Sequence, residues 1–384
     1  MRTTVSLIAA FCLINLVHGQ GEKNMTYKLI IDTYTNDNYA SVPTTDGIFV
    51  YDFNSKTGDF SLKSKVAGEG NPSYLAVSSD GKHVYSLNEF RNGEVSAFDF
   101  NSATGVLTFL NRVSSGGDSP CYISVDDKNK FVIVGNYGSG SLIAIPLKTD
   151  GSLGTDIQFI QQEGSSVDKG RQQGPHVHST VLSPDNKYLL TPNLGTDKVS
   201  IYQFDASKNS QPLTPADLPF ISVEAGSGPR HIIFHPNSKF VYLIQEMKCS
   251  IMAFDFKDGK LTEKQSITML STDFKGRVGA ADIHVSPDGK FLYGSNRGDA
   301  NEIVIYSINK EGKLTYIGRE STQGKTPRNF VIDPSGNFLL VANQNTNEVI
   351  IFRRDLKTGL LTPSGKKIQV NRPVCLKFIN KVGF

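Results

Sequence analysis

The sequence predicts an all-β chain, a seven-bladed β-propeller of four-stranded antiparallel blades whose last blade is closed by strands from the two ends of the chain. Three observations carry this. The 384 residues include 35 Gly, 17 Pro, 23 Phe and 14 Tyr, with many short Val/Ile/Phe/Tyr runs and almost no helical periodicity beyond two turns. One strand–turn–strand unit recurs seven times. The chain also begins inside a second strand and ends on a first one.

The repeat is marked by the residue closing each first strand: Ser79, Asp127, Pro184, Pro236, Pro287, Pro334 and, degenerately, Asn380. Successive gaps are 48, 57, 52, 51, 47 and 46 residues, so seven units fill the chain. "SPDGKFLYGSNR" (residues 286–297) shows the grammar of an apolar strand end, a tight turn, a second strand, then Asn or Gln with a polar neighbour. "SSDGKHVY", "SPDNKYLL", "HPNSKFVY" and "DPSGNFLL" repeat the turn, and such clusters supply positive-φ hairpin corners. Third strands follow in "GEVSAFDF", "DKVSIYQF", "CSIMAFDF", "NEIVIYSI" and "NEVIIFRR"; "TGVLTFL", "DGKLTEK", "EGKLTYI" and "TGLLTPS" open the fourth.

Four antiparallel strands repeated seven times without helical crossovers describe a propeller. At the start, "YKLIIDTY", "GIFVYDF" and "TGDFSLKSK" supply three strands; at the end, "RPVCLKF" supplies the missing first one. Such a closure leaves no open inner edge. The absence of Trp argues against the WD-repeat and Asp-box kinds of propeller.

Ahead of the repeats, Arg2, the apolar run Val5–Val17 and the exit Val17-His18-Gly19 read as a secretory signal cleaved after Gly19. A 13-residue run containing Ser6 and Asn15 is too short to span a bilayer. Residues 1–19 are thus expected to be removed, with residues 20–384 forming one domain outside the cytoplasm. Cys12 falls in the signal, leaving Cys121, Cys249 and Cys375, which allow one disulfide at most. Asn24-Met25-Thr26 is the lone glycosylation sequon. A formal charge of +3, with no basic tract, does not point to nucleic acid, and no zinc-ligand spacing occurs.

Aligning the units brings unusual residues to one rim. Seven residues before each marker stand Pro72, Pro120, Val177, Pro229, Ala280, Pro327 and Pro373, and the next position holds Ser73, Cys121, His178, Arg230, Ala281, Arg328 and Val374. Second strands run back antiparallel, so their last residues return to the same edge. These are Asn88-Glu89, Asn136-Tyr137, Asn193-Leu194, Gln245-Glu246, Asn296-Arg297 and Asn343-Gln344. His178, Arg230, Arg328, Glu89, Glu246 and Arg297 should therefore ring one mouth of the axial channel, with His176, His231 and Asn296 beside them. Arginines with His and Glu suit a small anion and an oxyanion, and Glu246 or His178 could exchange protons. The Asn series reads as repeated turn caps holding the blade edge rather than as a ligand set. A propeller that only binds, and a calcium site using Glu89, Asn136, Asn193 and Asn343, are the competing readings.

"GPHVHSTVLSPDNKYL", "GSGPRHIIFHPNSKFVYLIQE", "AADIHVSPDGKFLYGSNR" and "TPRNFVIDPSGNFLLVANQ" resemble the propeller-type 6-phosphogluconolactonase family. The resemblance implies a seven-bladed propeller that opens 6-phosphogluconolactone to 6-phosphogluconate without a metal or cofactor. Muconate lactonising enzymes share the fold, which keeps a cycloisomerase open as an alternative. Carried over by motif, the catalytic set is His178, Arg230, Glu246 and Arg297; the rim itself adds His176, His231, Arg328, Glu89 and Asn296 as expected substrate-binding residues. The expected partner is a small anionic lactone.

Overall fold

The computed structural model describes residues 26–35, 46–155 and 157–379. Their strands form seven four-stranded antiparallel sheets, six of them simple meanders. The closing sheet runs Pro373–Ile379, Thr26–Thr33, Ile48–Asn54, Phe60–Val66. Its ends pair from Lys28 with Ile379 to Thr33 with Pro373. The seven-bladed, end-closed propeller expected from the sequence is the fold. The signal expected over residues 1–19, the sequon asparagine and the marker Asn380 lie outside the described residues.

In five blades the inner hairpin is built by its marker motif. Ser78, Ser183 and Ser286 accept, through Oγ, the backbone N–H of the residue five positions on, at 2.9–3.0 Å; Asp126 and Asp333 do the same through a carboxylate at 2.6 Å. The corner residues Gly81, Asn129, Asn186, Ser238, Gly289 and Gly336 take positive φ, which Gly and Asn adopt most readily. Blades interlock through aromatic side chains. Tyr85, Tyr242 and Tyr293, on second strands, donate their hydroxyls to the carbonyls of Gly151, Gly312 and Gly359 in the next blade, at 2.7–3.0 Å. The apolar core accordingly lies between blades; Phe98, Phe254, Phe330 and Phe352 are fully buried there.

First strands are innermost, and their side chains link blade to blade about the axis. Ser73 donates to Pro120 O at 3.2 Å, Ser179 to Arg230 O at 3.0 Å and Asn329 to Asp282 at 2.5 Å, while Leu376 N donates to Asn329 Oδ1 at 2.7 Å. The ladder with the second strand slips just after the slot residue in six blades, between Pro72/Leu75, Pro120/Tyr122, Pro229/Ile232, Ala280/Ile283, Pro327/Asn329 and Pro373/Cys375. A bulge turns the unpaired residues away from the sheet. Here it turns Arg230, His231, Arg328 and their equivalents toward the axis. The fourth inner strand departs most: only Val181–Leu182 pair regularly, with an isolated bridge from Val177 to Asn193.

Candidate active site

Six of the nine residues singled out in the sequence line one cavity or touch it. A cavity of about 340 Å³ at one mouth of the axis is lined by Glu89, Cys121, Tyr137, Arg171, His178, Glu246, Arg297 and Arg328. Arg230 lies just beneath, 1 % exposed.

Glu246 is the hub. Its Oε1 accepts from Arg171 Nη2 at 2.8 Å, and its Oε2 lies 3.0 Å from both Arg230 Nε and Arg297 Nη2. Burial raises the carboxyl's pKa, but Arg297, Arg230 and Arg171 overcome that and hold it at about 2. Each guanidinium is fixed again elsewhere. Arg297 donates Nε to Gly279 O at 3.0 Å, and Arg230 donates Nη1 to Ala281 O.

His178 Nε2 is 3.9 Å from Glu246 Oε2, and its Nδ1 is 3.7 Å from Cys121 Sγ. Burial, then the charges of Arg230, His231 and Arg328, pushes the imidazole well below its ordinary 6.5, so it is neutral at physiological pH. The neighbouring Cys121 is not a thiolate nucleophile: burial drives its pKa up to about 12.

Arg328 occupies the opposite wall. Its Nη2 is 3.7 Å from Glu89 Oε2, and its guanidinium stands 5.4 Å over the ring of Tyr34, whose hydroxyl donates to Glu89 at 2.7 Å.

Arg171 and Tyr137 also line the cavity, Arg171 on the Glu246 side, and were not among the residues chosen from the sequence. Arg171 sits on the long connection into the fourth blade. Asp168 presents it in a turn, accepting from Gly170 N at 2.8 Å and Arg171 N at 3.0 Å. Asp197 moors the same loop, accepting from Ser166 Oγ at 2.6 Å and Gln172 Nε2 at 2.8 Å, and from Gly226 N and Gly228 N at 2.7 and 2.8 Å. The one sequence signal was the 57-residue gap between Asp127 and Pro184, the largest of the set.

Three expected binding residues lie elsewhere. His231 is deeper in the channel, its ring 5.2 Å from Tyr122 and 5.9 Å from Tyr74. His176 stacks at 4.5 Å on the outer side of Tyr137 and bonds that residue's carbonyl. Asn296 is buried as a corner residue, accepting from Gly279 N at 3.4 Å. The calcium reading loses its geometry too. Asn136, Asn193 and Asn343 bond Ser115 O, Gln162 and Thr322 O at 2.6–2.8 Å, outside the cavity wall. Among the described residues no three His, Cys, Asp or Glu side chains group as a metal would require. Cys121, Cys249 and Cys375 are all buried and unbridged.

As a chemical device, the cavity sets three arginines against two glutamates, with a fourth arginine below and a neutral imidazole in its wall. It can hold an anion, polarise a carbonyl and accept a proton.

The profile of the family described as "Lactonase, 7-bladed beta-propeller" matches residues 28–378. A Formosa agariphila 6-phosphogluconolactonase is 42% identical over 332 residues, 85% of this chain and 93% of its own. A Bacteroides fragilis crystal structure, provisionally designated a 6-phosphogluconolactonase, superposes with a TM-score of 0.87 at 40% identity, covering 94% of this chain and 99% of that one. The periplasmic gluconolactonase of Pseudomonas aeruginosa superposes with a TM-score of 0.85 at 34% identity, over 92% of this chain and 99% of that one.

Proposed function

The chain belongs to the seven-bladed β-propeller lactonase family and is a lactone hydrolase, and from that premise we propose that its axial cavity opens an anionic sugar lactone of the 6-phosphogluconolactone type. The observation that carries this is the cluster of Glu246, Arg171, Arg230 and Arg297 beside His178 in a lining of net positive charge.

In this reading the two side chains left as alternative bases take separate roles. Both carboxylate oxygens of Glu246 are already taken up by guanidinium donors, so Glu246 instead sets three guanidiniums toward the reacting carbonyl. His178, uncharged and facing Glu246, takes the proton from the attacking water. A new bond forms between water oxygen and the carbonyl carbon, and charge gathers on the carbonyl oxygen beside Arg297 and Arg171. The ring C–O bond then breaks, and the proton passes from His178 to the departing ring oxygen, leaving a hydroxy acid. Glu246, 3.9 Å from Nε2, steadies the imidazolium formed between these steps. A strained ester needs little more, since a positioned base contributes roughly 10²–10⁴-fold.

The reading extends to a place outside the cytoplasm, supported by Arg2, the Val5–Val17 run and the small-residue exit at Gly19. The P. aeruginosa relative is described as periplasmic. N-terminal sequencing of the protein recovered outside the cytoplasm should begin at Gln20.

The decisive assay measures hydrolysis of phosphorylated and unphosphorylated glucono-lactone by the purified mature protein against the spontaneous rate. The expected outcome is acceleration of both, with higher kcat/KM on the phosphorylated lactone. No acceleration of either would overturn the proposal.

A further inference from the structure

We propose that Arg328 is the anion anchor of the cavity, forking onto a phosphate carried by the substrate at the end away from the lactone carbonyl. The inference rests on the cavity being the lactone site and specifies what distinguishes its substrates.

The four arginines of the site are not equivalent. Arg171, Arg230 and Arg297 each reach Glu246 at 3.0 Å or less, so their charge and part of their hydrogen-bonding capacity are already engaged. Arg230 and Arg297 are further tied to backbone carbonyls. Arg328 makes no hydrogen bond with any described residue. Its nearest carboxylate, Glu89, stands at 3.7 Å, and Glu89 Oε2 already takes a proton donor at 2.7 Å from Tyr34. A guanidinium carries five N–H donors in a planar fork. Here that fork lines the cavity with a side chain only 19 % exposed, and among the described residues no acceptor takes a hydrogen bond from it.

Those donors face the cavity, free to exchange water for an anionic ligand that offers matched acceptors. What it must supply is geometric: two acceptor oxygens on one centre, with negative charge, as in a phosphate or a carboxylate. The reacting carbonyl faces the Glu246 cluster on the other wall. Arg328 therefore meets the far end of the molecule, which in a phosphorylated aldonolactone is the phosphate. Stacking on Tyr34, 5.4 Å below, keeps the guanidinium plane presented to the cavity.

The test is a substitution read on two substrates and two products. Arg328→Gln should lower the ratio of kcat/KM for 6-phosphogluconolactone over gluconolactone by about 10- to 100-fold, mainly through KM, as expected for one or two charge-assisted hydrogen bonds. Arg328→Lys, which keeps the charge but not the fork, should fall between. Calorimetric titration with 6-phosphogluconate and gluconate reads the same preference without turnover, so it stands even if hydrolysis fails. A wild-type protein that binds both products equally, or an Arg328→Gln variant that loses both substrates in the same proportion, would overturn the proposal.

Discussion

His231 and Asp282 lie 2.8 Å apart, Nδ1 against Oδ1, beneath the floor of the cavity, and the pair decides how Arg230 is held. Asp282 is ionised: burial raises its carboxyl, but His284 and His231 more than offset this and bring it well below 3.8. The proton between the pair is therefore on Nδ1, which leaves Nε2 as the acceptor for Arg230 Nη1 at 3.2 Å. Asp282 also accepts from Asn329 Nδ2 at 2.5 Å and Phe330 N at 3.2 Å, so one carboxylate joins three blades under the site.

Asp282→Asn removes the fixed acceptor and frees His231 to place its proton on Nε2, facing Arg230. The expected result is a tenfold to hundredfold fall in kcat/KM, carried by kcat. A loss of about 1–3 kcal/mol in stability accompanies it, since the partners of a buried carboxylate lose their match. Steady-state kinetics and urea unfolding of the same preparation check both.

Acid should unfold the protein in a window set by two histidines. Burial, then Arg230, lowers His231 from 6.5 to about 4, against the opposing pull of Asp282, and His178 is lowered in the same direction. Between about pH 6.5 and 4 the unfolded chain binds protons that the native chain refuses. Stability is therefore complete above pH 6.5 and falls as pH drops through that range, by about 1.4 kcal/mol per pH unit for each such proton. Urea midpoints at pH 7.5, 6 and 5 measure the slope, and His231→Gln should reduce it by close to one proton.

Glu246→Gln keeps the size of the hub but removes its charge, leaving three guanidiniums with no common counter-ion. Turnover should fall by at least roughly 10²-fold, the order seen when a preorganised electrostatic element is removed. Amide exchange around residues 166–172 should quicken as Arg171 loses its carboxylate. His178→Asn should instead lower kcat while leaving that loop protected.

Much of this site can be read from the repeat alone, because a period near fifty fixes which residues share a level of the disc. His178, Arg230, Arg328, Glu89, Glu246 and Arg297 gather at one mouth on that basis. Depth is not encoded in the same way. The bulge after Pro229 turns two successive residues inward, so Arg230 meets Glu246 while His231 drops to Asp282, although both occupy the same motif. Asn296 and Arg297 are likewise neighbours in sequence, one spent on a corner and the other on the cavity. Arg171 was illegible for another reason: its loop has no counterpart in the other units, and its position depends on Asp197.

Gly312 shows how closely the blades fit. It has φ +78, and a Cβ built there would come within 2.5 Å of the Phe240 ring in the preceding blade. Gly312→Ala should cost about 2–4 kcal/mol, combining the left-handed backbone with overpacking. Thermal unfolding should register it while kinetics on the remaining folded protein stay normal, since the contact lies away from the axis.

Because Thr26–Thr33 finds its neighbour in Pro373–Ile379, the ring cannot be completed by a growing chain until its last described strand has been made. Joining segments almost 350 residues apart carries a large loop-closure cost, recovered only when the circle is whole. Glu89 comes from an early blade and Arg328 from a late one, so a partial translation product has no working centre. A nick or truncation that releases the C-terminal strand would disable catalysis from a distance, with every reacting side chain still present.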